Sequence, residues 1–252
     1  MTGGSGLPAF FRLERFAELD STNEECKRRA AAGAPAGTLI WAEAQSAGRG
    51  RRGRRWVSVP GNLYMSLLLR PDRGAAAGAQ LGFAAALAIG ETIAPLLPKQ
   101  VELAYKWPND VLLDSRKVSG ILLESQAVGE GRLDWLVVGI GVNVASFPEG
   151  SEYPATSLRS VGAAAIAVEA LLEAVASRFL FWYEGWLAAG FTALREAWLA
   201  RARGLGEPVR VRLQAGEATG RFAGLDREGA LLLEDGAGRR RIAAGDVFPA
   251  AR

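Results

Sequence analysis

Histidine is absent from all 252 residues. That removes the commonest general base, the Ser-His and Cys-His nucleophile pairs and most zinc sites. The single cysteine, Cys26, excludes an internal disulfide and suits a reducing compartment. No uninterrupted apolar run reaches the ~18 residues of a membrane span, and the opening "MTGGSGLPAFFRLERF" has no apolar signal core. The expectation is therefore a cytoplasmic protein without membrane contact. Internal repeats and low-complexity linkers are also missing. Chemistry here must run on arginine, lysine, carboxylates and backbone amides, with a hydrated magnesium ion as a further option, rather than on an imidazole.

What is present is a globular composition, 49% hydrophobic and 23% charged, with a net charge of only +3. The chain is long enough for one full core plus a small appendage. Its positive charge is concentrated in "GRGRRGRRW", Gly48 to Trp56, where five arginines alternate with three glycines. Ser21 with Glu24 reads as a capping box opening a helix from about Asp20 to Ala32. Thr38–Ala44 and Asn62–Arg70 read as strands on either side of the arginine loop, and Ala79 to Leu97 as a core-packed helix. "VELAYKW" is a strand, "VLLDSRKVSGILLES" a hairpin turning at Asp114-Ser115-Arg116, and "RLDWLVVGIGVNV" a long strand. Two helices follow between Ala163 and Arg203, with Phe179, Trp182, Trp186, Phe191 and Trp198 at core spacing. From Gly206 short alternating strands form a small β module, too small to host much chemistry alone.

Four stretches carry chemical potential. In the arginine loop, glycines bring backbone N–H groups close to an anion, and arginine forks pair two-point with phosphate or carboxylate. Trp56 offers a stacking face. The bland alternative is a solvated basic loop, or an arginine-glycine nucleic-acid patch. In "KWPND", Asn109-Asp110 is a turn, and Lys117 lies just beyond the hairpin bend, next to the mid-strand Gly120. "STN", Ser21 to Asn23, places hydroxyls at a helix N-terminus. "GIGVNV" is not a dinucleotide fingerprint, because no helix opens behind it. Mutual repulsion among the arginines predicts a loop, from about Gly48 to Pro60, that stays loose until an anion joins it.

"STN", "AEAQSAGRGRRGRRW", "GNLYMSLLL", "KWPNDV", "KVSGILLE" and "GIGVNV", in this order, resemble the biotin protein ligases, from about Leu13 to the C-terminus. The resemblance implies an α+β fold: a mixed-sheet catalytic core of the class II synthetase and biotin–lipoate ligase type over residues 1–204, then an SH3-like β-barrel over 205–252. Only about twenty residues precede "STN", too few for the helix-turn-helix domain of the family's bifunctional members, so specific DNA binding is not expected. Ser119 stands where the family's Lys-x-Gly-Gly motif has its first glycine.

The activity implied is joining of biotin to ATP as biotinyl-5′-AMP, with Mg2+, followed by transfer to a lysine of a biotin carboxyl carrier protein. By correspondence, Ser21, Thr22, Asn23, Gln45, Gly48, Arg49, Arg51, Lys117 and Gly120 meet biotin. Arg49, Arg51, Arg52, Arg54, Trp56, Lys106, Asn109 and Asn143 meet ATP, and Lys117, Asp110 and Arg51 carry catalysis. The metal ligands are not implied, and a homodimer is compatible with the chain. Two other functions stay open at this point. One is a lipoate–protein ligase-like enzyme, whose pocket would be a long apolar slot. The other is a nucleic-acid binder using the basic loop, which would leave "KWPND" and "KVSGILLE" without a purpose.

Overall fold

Alternating and fully apolar strands form one mixed sheet. The computed structural model describes residues 6–129, 131–150 and 153–250; the remaining ends of the two expected segments lie outside the described residues. The strands are β1 (Arg12–Leu19), β2 (Thr38–Gln45), β3 (Leu63–Leu69), β4 (Leu103–Lys106), β5 (Asp110–Leu113), β6 (Arg116–Val128) and β7 (Arg132–Val142). Their order across the sheet is β1-β2-β3-β7-β6-β5-β4. Only β1 and β2 pair in parallel; the other neighbours are antiparallel. β1 went unread in the sequence: its burial is irregular and half-exposed at the sheet edge, so no period-2 alternation announces it.

The helices are α1 (Thr22–Ala31), α2 (Ala75–Gly78), α3 (Leu81–Ile93), α4 (Val168–Ala189) and α5 (Thr192–Leu199). The expected helix from Ala79 to Leu97 is α3, continued by a 3-10 turn over Ala94–Leu96 that contains Pro95; the short α2 lies before it. The stretch Ala75–Leu96, interrupted by Gln80, Glu91 and Thr92, is by length and mean hydropathy apolar enough to cross a membrane. It is nevertheless core: α3 buries nearly every residue against the sheet, α4 and α5. The capping box is also corrected. Ser21 is the N-cap of α1, yet its side chain makes no capping hydrogen bond; Asp20 Oδ1 instead accepts from the Ser21 N–H at 2.7 Å.

The hairpin bend is where it was expected, with Asp114 and Ser115 both at positive φ, as a tight two-residue turn requires. Of the aromatic helix residues, Phe179, Trp186, Phe191 and Trp198 are buried and Trp182 is half-buried. The closing segment forms a second, five-stranded sheet from β8 (Pro208–Arg212), β9 (Glu217–Leu225), β10 (Leu231–Asp235), β11 (Gly238–Ile242) and β12 (Asp246–Pro249), ordered β11-β10-β9-β8-β12. Its apolar residues join the same hydrophobic cluster as the main sheet. Trp107 of "KWPND" is buried and donates its indole N–H to the Gly229 carbonyl at 3.1 Å, tying the two sheets together.

Candidate active site

One cleft gathers the motifs that the sequence scatters over more than a hundred positions. Ser21, Thr22, Asn23, Gln45, Arg49, Arg51, Arg54 and Trp56 line it from one side. Lys106, Asn109, Asp110, Lys117, Gly120 and Asn143 line it from the other. Of the residues named from sequence, only Gly48 and Arg52 are not part of this lining.

Its polar end is a hydrogen-bond network at the start of α1. Gln45 Oε1 accepts from the Thr22 N–H at 2.8 Å and from the Thr22 hydroxyl at 3.1 Å, while Gln45 Nε2 donates to Ser58 Oγ at 2.8 Å. Ser66, fully buried on the otherwise apolar β3, places its hydroxyl 2.8 Å from Thr22 Oγ1 and 2.6 Å from Asn23 Oδ1. Asn23 Nδ2 donates to Glu124 Oε2 at 2.8 Å. These bonds hold small polar side chains rigid at the bottom of the cleft, as specific polar recognition requires.

The floor is glycine. Residues 139 and 141 fall on one face of β7, and Gly120 of β6 pairs with Gly141. A Cβ on Gly139 would stand 2.0 Å from Asn23 Oδ1, and one on Gly141 2.7 Å from the Trp56 ring. A Cβ on Gly120 would meet the same ring at 2.9 Å and Lys117 Nζ at 3.0 Å. The glycines of "GIGVNV" are therefore space for Asn23 and Trp56, not a phosphate fingerprint. The indole lies flat over this floor, with Lys117 Nζ 5.3 Å from its centroid. Lys117 Nζ is also 2.6 Å from Asp110 Oδ1, an ion pair at the centre of the cleft.

The arginine loop folds back on itself. The Trp56 N–H donates to the Gly48 carbonyl at 2.9 Å, and a Cβ on Gly48 would be 2.5 Å from both Trp56 O and Ser58 Oγ. Gly48 is buried beneath the loop for that reason. A short 3-10 turn, Arg51–Gly53, follows, with Arg52 at φ 57°. Carboxylates of the chain itself face the arginines, so their mutual repulsion has an internal counter-charge. Arg49 is paired with Glu24 and lies 3.4 Å from Glu124. Arg54 and Arg52 reach Asp246 Oδ2 at 2.8 and 3.0 Å, and Arg51 NH1 is 3.6 Å from Asp246 Oδ1. Arg51 NH1 also donates to Asn109 Oδ1 at 3.2 Å.

Asp246, at the start of β12, was missed by the sequence reading, as were Ser66, Glu124 as a loop anchor, and Tyr153. A lone acid after "RRRIAAG" is the only signal Asp246 gives, and it acquires meaning only when the β module folds against the loop. Burial raises the Asp246 carboxyl, but the Arg54 hydrogen bond and the three arginine charges outweigh it and hold the group below the usual range. Glu124 follows the same balance, with Asn23, Lys27 and Arg49 prevailing over burial. Lys106 is different. Burial pushes its pKa down, and its ammonium sits 4.7 Å over the Tyr153 ring and 5.1 Å over Phe248. Outside the cleft, burial pushes the Cys26 thiol up to about 12, so it is inert at neutral pH.

Asn143 lines the cleft but spends its side-chain N–H on the Thr156 carbonyl at 3.0 Å, tethering the segment that carries Ala155 to the wall. Among the described residues no three His, Cys, Asp or Glu side chains cluster as a metal-ligand set. Both cleft carboxylates, Asp110 and Asp246, are committed to cations. The donor chemistry therefore does not fit a resident divalent ion held by protein ligands; magnesium characteristically enters on nucleotide phosphates, keeping several waters.

This chain is similar to known proteins over nearly its whole length. The model of the biotin/lipoate A/B protein ligase family matches residues 16–143, and that of the biotin protein ligase C terminal domain matches 204–248. The biotin–[acetyl-CoA-carboxylase] ligase of Paracoccus denitrificans is 44% identical over 92% of this chain and 98% of its own length. The bifunctional ligase/repressor BirA of Bacillus subtilis is 37% identical over 91% of this chain and 71% of its own. The structure of the Aquifex aeolicus biotin protein ligase in complex with biotin and ATP superposes with a TM-score of 0.78 at 30% identity, covering 94% of this chain and 97% of that one.

Proposed function

The chain belongs to the biotin protein ligase family, and from that premise we propose how its cleft performs an ATP-dependent ligation of biotin to protein. The observation that carries the reading is one cleft with a rigid polar end, a central Lys117–Asp110 pair and an arginine loop above them. A ureido ring has N–H donors and a carbonyl acceptor, and the Ser21, Thr22, Asn23 and Gln45 end is suited to hold it. A lipoyl ring has nothing for those groups to bind, so burying it there would leave them unpaired. Arg49, Arg52 and Arg54 are paired with Glu24 and Asp246, which leaves less of their charge for a surface binding long nucleic acids.

Biotin arrives as a carboxylate, so no base is needed in the first step. Its oxygen attacks the α-phosphorus of ATP and pyrophosphate leaves, giving biotinyl-5′-AMP. Arg51 and Arg54 exchange their protein partners for phosphate oxygens, and Lys106 carries charge to the leaving group; Arg49 and Arg52 flank them. Trp56, Asn109 and Asn143 shape the nucleotide side. Magnesium accompanies ATP as the phosphate-bound ion and lowers its charge. Lys117 stabilises the acyl phosphate, and Asp110 then orients the attacking lysine of a carrier domain and takes its proton. Residues 1–204 serve as the catalytic segment and 205–252 as the β module that supplies Asp246. A cytoplasmic setting supplies the ATP.

Incubation with biotin, Mg-ATP and the biotin-carrier domain of an acetyl-CoA carboxylase, read by intact mass, tests this. A carrier heavier by one biotinyl group is expected. An unchanged carrier beside an active control ligase would refute the reading.

A further inference from the structure

Lys106 stands apart from the other cations of the cleft. Arg51, Arg52 and Arg54 converge on Asp246, and Lys117 pairs with Asp110. Lys106, at the end of β4, makes no ion pair among the described residues; Asp110 and Asp246 reach it only as more distant charges. Its neighbours are rings instead. Tyr153 and Phe248 stack with centroids 5.6 Å apart and planes inclined by 21°. The Lys106 ammonium lies 4.7 Å from the first centroid and 5.1 Å from the second.

The backbone fixes both rings. Phe248 lies on β12 two residues after Asp246, hence on the same face of the strand, and pairs with Arg210 of β8. The Arg210 and Arg212 guanidiniums flank its ring at 5.0 and 4.8 Å. Tyr153 precedes a segment clamped to β6: the Lys117 N–H donates to the Pro154 carbonyl at 2.8 Å, and the Thr156 N–H donates to the Lys117 carbonyl at 2.9 Å. The Tyr153 hydroxyl accepts from Arg54 at 3.1 Å.

We propose that Tyr153 and Phe248 are positioning residues of the adenylation step, acting through Lys106, which they hold as an uncompensated cation facing the leaving phosphates of the nucleotide. The inference rests on the ligase reading above and deepens its account of Lys106. A carboxylate would also anchor the ammonium, but a phosphate would then have to displace it, as at Arg54. A ring face attracts the cation without neutralising it, so its full charge stays available to the departing pyrophosphate. Burial disfavours the ammonium, and two aromatic faces offset part of that penalty. The C-terminal sheet thus serves the first half-reaction through Phe248 as well as Asp246.

Tyr153→Leu and Phe248→Leu keep apolar bulk and remove a ring; Tyr153→Phe keeps the ring and removes the hydroxyl. Single-turnover pyrophosphate release at saturating biotin and Mg-ATP reports adenylation. Transfer from preformed biotinyl-AMP to an acetyl-CoA carboxylase carrier domain reports the second step. Each leucine variant is expected to slow pyrophosphate release roughly threefold to thirtyfold, the range that losing a cation–ring contact allows, and transfer by less than about twofold. Tyr153→Phe should recover most of the lost rate. Made on top of Lys106→Gln, Tyr153→Leu should slow release no further, because the cation it positions is gone. If one leucine variant melts early, the other carries the test. A full leucine effect that persists in the Lys106→Gln background, an equal loss in both steps, or normal release in the leucine variants overturns the proposal and leaves the ligase reading intact. A wild-type chain that releases no pyrophosphate refutes both.

Discussion

Replacing Asp110 by asparagine separates the two half-reactions, and the structure gives the sizes. Lys117 Nζ lies 2.6 Å from Asp110 Oδ1, with the side chains 23% and 14% exposed. An exposed pair contributes ~0.2–1 kcal/mol, whereas breaking a fully buried one costs ~3–5 kcal/mol, so a half-buried pair falls near ~2 kcal/mol. Asp110→Asn keeps the shape and removes the charge. Lys117 then loses its anchor while remaining over the Trp56 ring. If all of that energy served to place Lys117 for the first step, adenylation would fall by at most roughly thirtyfold. Transfer loses the same anchor and also the general base, a further ~100- to 10,000-fold. Adenylate formation followed by pyrophosphate release, and transfer from preformed adenylate, measure the steps separately. A variant that loses as much in adenylation as in transfer would refute the base assignment and move Asp110 to the nucleotide side. Lys117→Ala provides the cross-check: made on top of Asp110→Asn it should cost adenylation less than it does in the wild type, because the pair is already broken.

Lys106, whose pKa burial lowers, should make ATP binding pH-dependent. Phosphate favours its charged form, so affinity declines as pH rises through the depressed pKa, below the ordinary lysine range; calorimetric titration should show that decline vanish in Lys106→Gln. Asp246→Asn leaves Arg52 and Arg54 without their shared carboxylate, weakening loop docking by roughly 1–2 kcal/mol and speeding protease cleavage between residues 48 and 60. Since the Asp246 carboxyl is depressed, its contribution is complete above the ordinary carboxylate range, about pH 4, and is lost only on acidification through its lower folded value; loop cleavage that changes between about pH 5 and 8 would contradict this. Gly141→Ala puts a Cβ 2.7 Å from the Trp56 ring, an overpacking cost of ~1–3 kcal/mol. It should fall on the arginine loop, accelerating release of biotinyl-AMP with little change in melting temperature; an unchanged release rate would show that Trp56 does not seal the cleft.

The sequence by itself determined most of the elements and the family. Apolar β3 and β7, the Asp114-Ser115 bend and the alternating closing strands are local patterns, governed by neighbours one to four residues away. The order of the motifs was enough to indicate the family, and nearly all the residues it pointed to meet in one cleft. The tertiary structure decided what each small or charged residue is for. Gly139 and Gly141 read as strand glycines until Asn23 and Trp56, distant in the chain, are seen to occupy the space that a Cβ on each would fill. The edge strand β1 has no alternation because only its pairing with β2 specifies it. The arginine loop looked self-repelling because its counter-ion, Asp246, lies nearly two hundred residues away in another sheet. Charge compensation and steric exclusion act through space at a few ångströms, and separation along the chain carries no record of them until the chain has folded.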